Sequence, residues 1–275
     1  MTLLQTLPRN RILTYGATAF RRMRKVVTPS IMGTITHVET REPVAALTFD
    51  DGPHPEFTPL LLDVLKRYGA HATFFMLGEA AEKYPDVVRQ VGEAGHAIGN
   101  HSWDHPSFPL LRGRDRRAQI LACASAIAPY GGQRLFRPPY GHQSLASRYD
   151  AWRLGYRVVT WNVVAEDWCD RDAEWMAARL VSRIKPGSIV ILHDAIYRSI
   201  QVVPQHDRQR MLTALELALK ELGDRFRFVT VPELLRYGRP RRRSWYRKAD
   251  PKMLPLLRKH PLAAWKLTGP RGSTP

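Results

Sequence analysis

Residues 44–53 read Val-Ala-Ala-Leu-Thr-Phe-Asp-Asp-Gly-Pro, and this stretch decides the fold. The first six residues have the pattern of a β-strand. Gly52 and Pro53 end that strand, because glycine tolerates unusual backbone angles and proline cannot continue a hydrogen-bonded ladder. Asp50 and Asp51 lie between the strand and this bend. Neighbouring side chains of a strand point to opposite faces, so the two carboxylates can serve one site only if the chain turns there.

Strand patterns alternate with amphipathic helix patterns from this stretch onward. The predicted strands are Val44–Phe49, Ala72–Leu77, His96–Asn100, Leu135–Arg137, Tyr156–Trp161, Ser188–Leu192 and Arg227–Thr230. One predicted helix opens at Thr58-Pro59 and ends at Gly69, and the others are Pro85–Ala94, Arg114–Ala128, Ser144–Leu154, Asp172–Lys185 and Gln209–Leu222. This alternation predicts an α/β fold with one parallel sheet that is closed, or nearly closed, into a barrel. An open doubly wound sheet is the alternative, although no dinucleotide or phosphate-loop fingerprint follows the first strand.

Positive charge is concentrated at the two ends of the chain. The net charge is +17 overall, with +5 in residues 1–42, +1 in residues 43–235 and +11 in residues 236–275. We therefore predict a basic N-terminal arm (1–42), a central domain (43–237) and a basic C-terminal tail (238–275). A protein that acts on nucleic acid is expected to place its basic surface near its chemistry, so this distribution disfavours a nucleic-acid partner.

The C-terminal tail mixes basic residues with leucines and with aromatic residues such as Trp245 and Trp265. That composition suits adsorption to an anionic membrane surface, and a solvated tail that packs partly on the domain is the alternative. The apolar stretch Ile12–Phe20 is interrupted by polar residues, and no run approaches the ~18 residues of a membrane span. We expect a cytoplasmic location, with peripheral contact at the inner face of the membrane if the tail adsorbs.

Ionisable residues follow most of the predicted strands. They are Asp50-Asp51 after the first strand, His101 and His105 after the third, Arg137 at the fourth, Asp167-Trp168 after the fifth and His193-Asp194 after the sixth. The carboxyl ends of parallel strands share one face, where barrel enzymes carry their sites. We therefore expect these groups to converge at one rim.

His101 and His105 are candidate metal ligands. Ser102 stands where the helical zinc-protease pattern needs a glutamate, which disfavours that mechanism. Two imidazoles and one carboxylate would leave a coordination position open for water, as catalytic zinc sites do. One carboxylate of the Asp50-Asp51 pair would then bind the metal while the other accepts a proton from the water. The alternatives are two histidines bonded within a loop and an acidic turn between a strand and a helix.

Five motifs, in order, resemble those of the polysaccharide deacetylases, which form carbohydrate esterase family four and include the nodulation-factor chitooligosaccharide deacetylases. The motifs are Thr48-Phe49-Asp50-Asp51-Gly52-Pro53, His101-Ser102-Trp103-Asp104-His105, Arg137-Pro138-Pro139-Tyr140-Gly141, Asp167-Trp168 and Leu192-His193-Asp194. The resemblance covers roughly residues 46–230. It implies an irregular seven-stranded (β/α) barrel and a hydrolase that removes the acetyl group from an N-acetylated amino sugar.

The resemblance also implies roles around a bound Zn²⁺ or similar divalent ion. Asp51, His101 and His105 correspond to its ligands. Asp50 corresponds to the general base, and Arg137 to the group that orients Asp50.

The remaining implied roles concern the leaving group and the acetyl group. His193 corresponds to the general acid, and Asp167 to the residue that holds its imidazole. The backbone N–H of Tyr140 corresponds to an oxyanion donor, and Trp168 and Leu192 to the walls of the acetyl pocket.

One position departs from the family pattern. Val164 stands three residues before Asp167, where the family often has a second aspartate, which puts local hydrogen bonding and substrate preference in doubt. An O-acetyl esterase or a ring-opening amidohydrolase is the alternative within the same chemistry. A binding protein with a retired site, attached to membrane or nucleic acid through its arms, is the alternative outside it.

Overall fold

The strand that begins at Val44 becomes the centre of a parallel sheet. In the computed structural model, which describes residues 32–196 and 208–245, the strands are β1 (Thr34–Glu39), β2 (Val44–Asp50), β3 (Ala72–Met76), β4 (Ala97–Asn100), β5 (Leu135–Phe136), β6 (Arg157–Val158), β7 (Val163–Val164), β8 (Ile189–His193), β9 (Arg227–Phe228) and β10 (Arg239–Arg243). The α-helices are α1 (Phe57–Arg67), α2 (Gly78–Lys83), α3 (Pro85–Glu93), α4 (Gly113–Ile127), α5 (Leu145–Arg153), α6 (Ala173–Arg183), α7 (Gln209–Leu222) and α8 (Val231–Leu234).

The main sheet curls so that its two edges approach each other. Its strand order is β6-β5-β4-β3-β2-β8-β7, every neighbouring pair is parallel, and β9 pairs with the start of β2. The edge strands β6 and β7 are joined by residues 159–162 alone. Five steps of extended chain span at most about 18 Å, so the edges must lie near each other. The predicted α/β class, with a parallel sheet curled into an irregular barrel, is confirmed.

A second, two-stranded sheet covers the gap between these edges. Strand β1 pairs antiparallel with β10. It also bridges the two sides of the gap, because Ile35 pairs with Val159 and His37 pairs with Ser188. Residues 32–42 of the predicted N-terminal arm and 238–245 of the predicted C-terminal tail therefore pack against the barrel. The other residues of both arms, including Ile12–Phe20 and the tail beyond Trp245, lie outside the described residues.

The core forms two layers, one on each face of the sheet. Leu47 and Phe49 of β2 pack with helix residues such as Leu65 and Leu215. On the opposite face, Ala46 packs in a cluster with Ile189, Ile191, Val159 and Trp161 inside the barrel. Each fully buried leucine or phenylalanine contributes about 1.5–3 kcal/mol, so the two layers rigidly fix the strand ends that carry the ionisable groups.

Several element predictions need correction. The predicted strand Tyr156–Trp161 is interrupted, because the N–H of Thr160 bonds to Ile35 in β1 and the N–H of Asn162 bonds to Ile189 in β8. The chain thus changes partners, and the interrupted strand becomes β6 and β7. Three further elements, β1, β10 and α2, were not predicted, because their sequences lack a clear strand or helix periodicity.

The predicted helix start at Thr58 is also wrong, since α1 begins at Phe57 and its N-cap residue makes no side-chain cap. The Thr58 hydroxyl instead accepts a hydrogen bond from the backbone N–H of His54 and donates one to Asp194. Across the described ranges 32–196 and 208–245, each helix is too short or too polar to cross a membrane.

Candidate active site

Parallel pairing brings the ionisable strand ends together. Asp50, the last residue of β2, lies in register with His193, the last residue of β8. Asn100, which ends β4 just before His101, pairs with Phe136, which ends β5 just before Arg137. The expected convergence at one rim is therefore present in the structure.

The bend after β2 turns both carboxylates toward the same group of histidines. Asp51 has a left-handed backbone (φ 74°), a conformation that aspartate tolerates better than most residues. As a result, Asp51 Oδ1 lies 3.3 Å from His101 Nε2, and Asp50 Oδ2 lies 3.8 Å from the same nitrogen. Gly52 is required at the bend, because a Cβ there would overlap the carboxylate of Asp194.

Asp51, His101 and His105 form a group that could hold a metal ion. One ligand atom from each lies within 4.8 Å of the others, and all three residues are buried. Asp51 Oδ1 is 3.3 Å from His101 Nε2 and 3.2 Å from His105 Nε2. Tetrahedral zinc with bonds of ~2.0–2.1 Å separates its ligand atoms by about 3.3–3.4 Å, so these two separations fit such an ion.

The protonation states of this group also suit a metal. Burial lowers the pKa of His105 to about 3, despite the opposing charge of Asp51, so its imidazole is neutral. Burial alone would raise the pKa of Asp51, but His105 and His101 hold it below its usual range. His101 Nδ1 lies 2.7 Å from the carbonyl oxygen of Arg137. With the proton on Nδ1, it donates to that oxygen and leaves Nε2 free to bind an ion, as in many histidine metal sites.

Asp50 is held by a buried arginine. Arg137 is fully buried, and its Nη1 donates to Asp50 Oδ1 at 2.7 Å and to Thr48 Oγ1 at 2.7 Å. Its Nη2 donates to the carbonyl oxygen of Thr160 at 3.0 Å, and the guanidinium lies 4.1 Å from the ring centre of Phe75. These contacts fix Oδ1 of Asp50, while Oδ2 lies toward His101.

Tyr140 lies beside the histidine group on a tight turn formed by Pro139–Gly141. Its backbone is left-handed (φ 57°, ψ 6°). Its ring meets that of His105 edge-on, with centres 4.3 Å apart. The turn therefore places Tyr140 beside one of the three candidate ligands.

His193 is paired with Asp167. The backbone N–H of His193 donates to Asp167 Oδ2 at 2.9 Å, and Nδ1 lies 3.1 Å from Oδ1. Burial alone would lower the pKa of His193, but Asp167 overcomes this effect and the pKa rises to about 9. The ring of Trp168, which is 37% exposed, stands nearly perpendicular to that of His193 with centres 5.2 Å apart.

The structure does not place Leu192 at this rim. Leu192 is fully buried in the layer between the sheet and the helices, together with Leu47 and Phe49. Side chains alternate along a strand, so Leu192 faces away from the side on which His193 lies. The prediction that Leu192 lines the acetyl pocket is therefore wrong, and Ile191, two residues before His193, lies on the inner face instead.

Two further residues of the site were given no role by the sequence analysis. Arg208 is buried, and its Nη2 donates to the carbonyl oxygen of Asp167 at 2.7 Å while Nη1 lies 3.5 Å from Oδ2. Asp194 is fully buried beside Gly52, where the Thr58 hydroxyl donates to Oδ2 and burial raises the carboxyl pKa to about 7. The sequence did not single out Arg208, because several arginines occur in its region. Asp194 belongs to the last of the five motifs, but no role was assigned to it.

A parallel α/β barrel with a buried Asp-His-His group at its rim is typical of metal-assisted enzymes, and comparison with known proteins identifies the family. A family model for polysaccharide deacetylase matches residues 37–159. A peptidoglycan-N-acetylglucosamine deacetylase of Bacillus cereus is 37% identical over 220 residues, which cover 78% of this chain and 98% of that protein. A chitooligosaccharide deacetylase of Azorhizobium caulinodans is 37% identical over 168 residues, which cover 60% of this chain and 80% of that protein.

Solved structures agree with this relationship. The crystal structure of a peptidoglycan N-acetylglucosamine deacetylase in complex with a naphthyl N-hydroxybenzamide matches with a TM-score of 0.67 and 31% identity, covering 76% of this chain and 94% of that one. The chain belongs to the polysaccharide deacetylase family. The family and the enzyme class expected from the five motifs are confirmed at this level.

Proposed function

We propose that this protein is a divalent-metal-dependent deacetylase that removes the N-acetyl group from an amino sugar and releases acetate. The observation that carries the proposal is the spacing of Asp51, His101 and His105, with Asp50 on one side of the group and the Asp167–His193 pair at the neighbouring strand end. Named relatives act on N-acetylglucosamine of peptidoglycan and on chitooligosaccharides, which supports an N-acetylated sugar as substrate.

Asp51, His101 and His105 would hold the metal. Two histidines and one carboxylate are ligands that zinc accepts. Bound there, a dication supplies a Lewis acid for the acetyl carbonyl and lowers the pKa of water toward ~7. Two imidazoles and one carboxylate leave part of the coordination sphere open, as catalytic sites require.

Asp50 would act as the general base. Its Oδ1 is occupied by Arg137 and its Oδ2 lies on the side of His101. An attacking water held between Oδ2 and the ligand group would pass its proton to Oδ2. Arg137 would orient the carboxylate during this transfer, because its own position is fixed by Thr48, Thr160 and Phe75.

His193 would act as the general acid. An amine is a poor leaving group until it is protonated, and His193 holds a proton near neutral pH because Asp167 raises its pKa to about 9. Arg208 would position Asp167. The Tyr140 N–H would stabilise the oxyanion of the tetrahedral intermediate, and Trp168 would form a wall of the acetyl pocket, with Ile191 in the place first expected for Leu192.

The test is acetate release from a panel of acetylated compounds by the purified full-length protein. We expect turnover of N-acetylglucosamine oligomers and a loss of about 10³-fold or more in Asp50→Asn. An O-acetyl esterase would instead release acetate from O-acetylated xylan and leave the N-acetyl oligomers intact, and a ring-opening amidohydrolase would act on cyclic amides. Either pattern would contradict the proposed reaction. The cytoplasmic location and the membrane contact of the tail remain predictions from sequence.

A further inference from the structure

A cavity of about 390 Å³ opens on the flank of the barrel, outside the group of site residues described above. We call it the flank cavity. Its lining includes Thr36, His37, Trp161, Asn162, Arg243 and Trp245. Its volume lies in the range of small-molecule binding sites, roughly 300–1,000 Å³.

The cavity is built by the two-stranded sheet and by the chain that joins β6 to β7. Trp245 follows β10, and Trp161 lies in the connecting segment. Their rings meet edge-on, with centres 5.5 Å apart and planes at 68°. Trp161 is almost fully buried, whereas Trp245 is partly exposed, so Trp161 supports the ring of Trp245 from beneath.

Both tryptophans connect the flank cavity to the candidate active site. Trp245 Nε1 donates a hydrogen bond of 3.1 Å to the carbonyl oxygen of Gly141, which directly follows Tyr140. The ring of Trp161 lies 5.5 Å from the guanidinium carbon of Arg137, which holds Asp50. The wall of the cavity therefore contacts the candidate active site at two places, at Arg137 through Trp161 and at the Tyr140–Gly141 turn through Trp245.

The lining combines aromatic rings with polar groups at the edge. Asn162 is exposed and accepts the N–H of Ile189 with Oδ1, so its amide NH₂ is the part directed to other partners. Arg243 is also exposed. His37 is half-buried, and burial lowers its pKa, so its imidazole is neutral near pH 7. Sugar rings present C–H groups on their faces and hydroxyl groups on their edges, so aromatic surface with neutral and charged hydrogen-bonding groups around it suits a pyranose.

We propose that the flank cavity is a second sugar site, which binds another unit of the oligosaccharide chain whose acetyl group is removed at the Asp50–His193 centre. The proposal rests on the proposed function, because it takes the substrate to be an N-acetylated oligosaccharide. A unit stacked on Trp245 would increase the affinity for long chains without touching the reacting acetyl group. Short substrates that end before the cavity gain nothing from it.

The experiment compares kcat and KM for an N-acetylglucosamine dimer and pentamer in the full-length protein and its variants. For Trp245→Ala we expect a roughly tenfold higher KM for the pentamer and an unchanged KM for the dimer, as expected for the loss of one buried aromatic contact. Trp245→Phe keeps a stacking surface but loses the bond to Gly141, so it should retain most of the pentamer preference. The matched control is Trp152→Ala, which removes a tryptophan exposed on α5.

Each outcome decides the proposal. An equal loss on dimer and pentamer, or the same loss in Trp245→Phe, would show that Trp245 acts through the Gly141 turn and would overturn the second site. An unchanged pentamer KM in Trp245→Ala would also overturn it. If the unmodified protein turns over neither sugar, the proposed function fails, and pentamer binding measured by calorimetry then tests the cavity separately. Binding that Trp245→Ala weakens tenfold would still support the site, and equal binding would reject it.

Discussion

Replacement of Asp167 by asparagine tests the electrostatic origin of the general acid. The carboxylate keeps the pKa of His193 at about 9, while burial pulls in the opposite direction. Without the charge of Asp167, burial is opposed only by the smaller effects of Asp51 and Asp50, so we expect the pKa of His193 to fall to about its ordinary value of 6.5. The difference corresponds to roughly 3 kcal/mol, since each pH unit is worth about 1.4 kcal/mol.

The sign of the pH effect follows from the role of His193 as an acid. At pH 6, most of the His193 population is protonated with or without the Asp167 charge. Loss of the charge alone therefore lowers activity little at this pH. At pH 8.5, about three quarters of the molecules with a pKa of 9 are protonated, against about 1% with a pKa of 6.5. We therefore expect Asp167→Asn to lose roughly 50- to 100-fold more activity at pH 8.5 than at pH 6.

The assay is the pH profile of kcat for acetate release, recorded for both proteins at equal metal content. Lost orientation of the His193 ring lowers kcat at every pH, so only the ratio between the two pH values reports the charge. The matched control is Asp170→Asn, because Asp170 is nearby in sequence and its side chain is 83% exposed. An alkaline limb that stays in place in Asp167→Asn would refute the assigned cause of the raised pKa.

The other predictions concern single residues of the site. Asp50→Asn should lose about 10³-fold or more in kcat yet retain its metal, because Asp50 is the base and not a ligand; metal analysis beside the activity assay checks both halves. His101→Ala should lose both the metal and the activity, and a variant that still binds one ion per chain would contradict its role as ligand. Gly52→Ala should destabilise the fold by about 1–3 kcal/mol, since its Cβ would overlap Asp194, and thermal unfolding measures this. Arg208→Gln should reduce kcat and leave KM nearly unchanged, because Arg208 holds the acid–base pair rather than the substrate.

The sequence predicted the parts of the fold that local patterns determine. Helix α7 matches its predicted bounds, Gln209–Leu222, because its apolar positions repeat at the helical period and bury one face. The start of β2 at Val44 was also predicted, since residues 44–49 are apolar apart from Thr48 and follow Arg41-Glu42-Pro43. The local sequence pattern determines such elements, and long-range packing changes their bounds little.

Elements that depend on distant partners were missed. Strand β10 reads Arg-Pro-Arg-Arg-Arg, which has no strand pattern, and it forms because β1 provides an antiparallel edge. The break between β6 and β7 arises in the same way, since the backbone around Thr160 and Asn162 bonds to β1 and β8. No local pattern contains that information.

The candidate site shows the same division. Strand-end spacing predicted that His101, His105 and one carboxylate of the Asp50-Asp51 pair converge, and the family resemblance singled out Asp51 as the third ligand. The misassignment of Leu192 could have been avoided from sequence, since the two-residue period of a strand puts Ile191, not Leu192, on the face of His193. Arg208 approaches Asp167 from 41 residues away, and only the folded chain reveals that contact.

The most direct test of the central claim measures metal content and acetate release in the same preparation, before and after chelation and again after Zn²⁺ is restored. We expect one bound divalent ion per chain, loss of N-deacetylation when the ion is removed, and recovery when it returns. Full N-deacetylation by a preparation free of metal would contradict the assignment of Asp51, His101 and His105 as ligands of a catalytic ion.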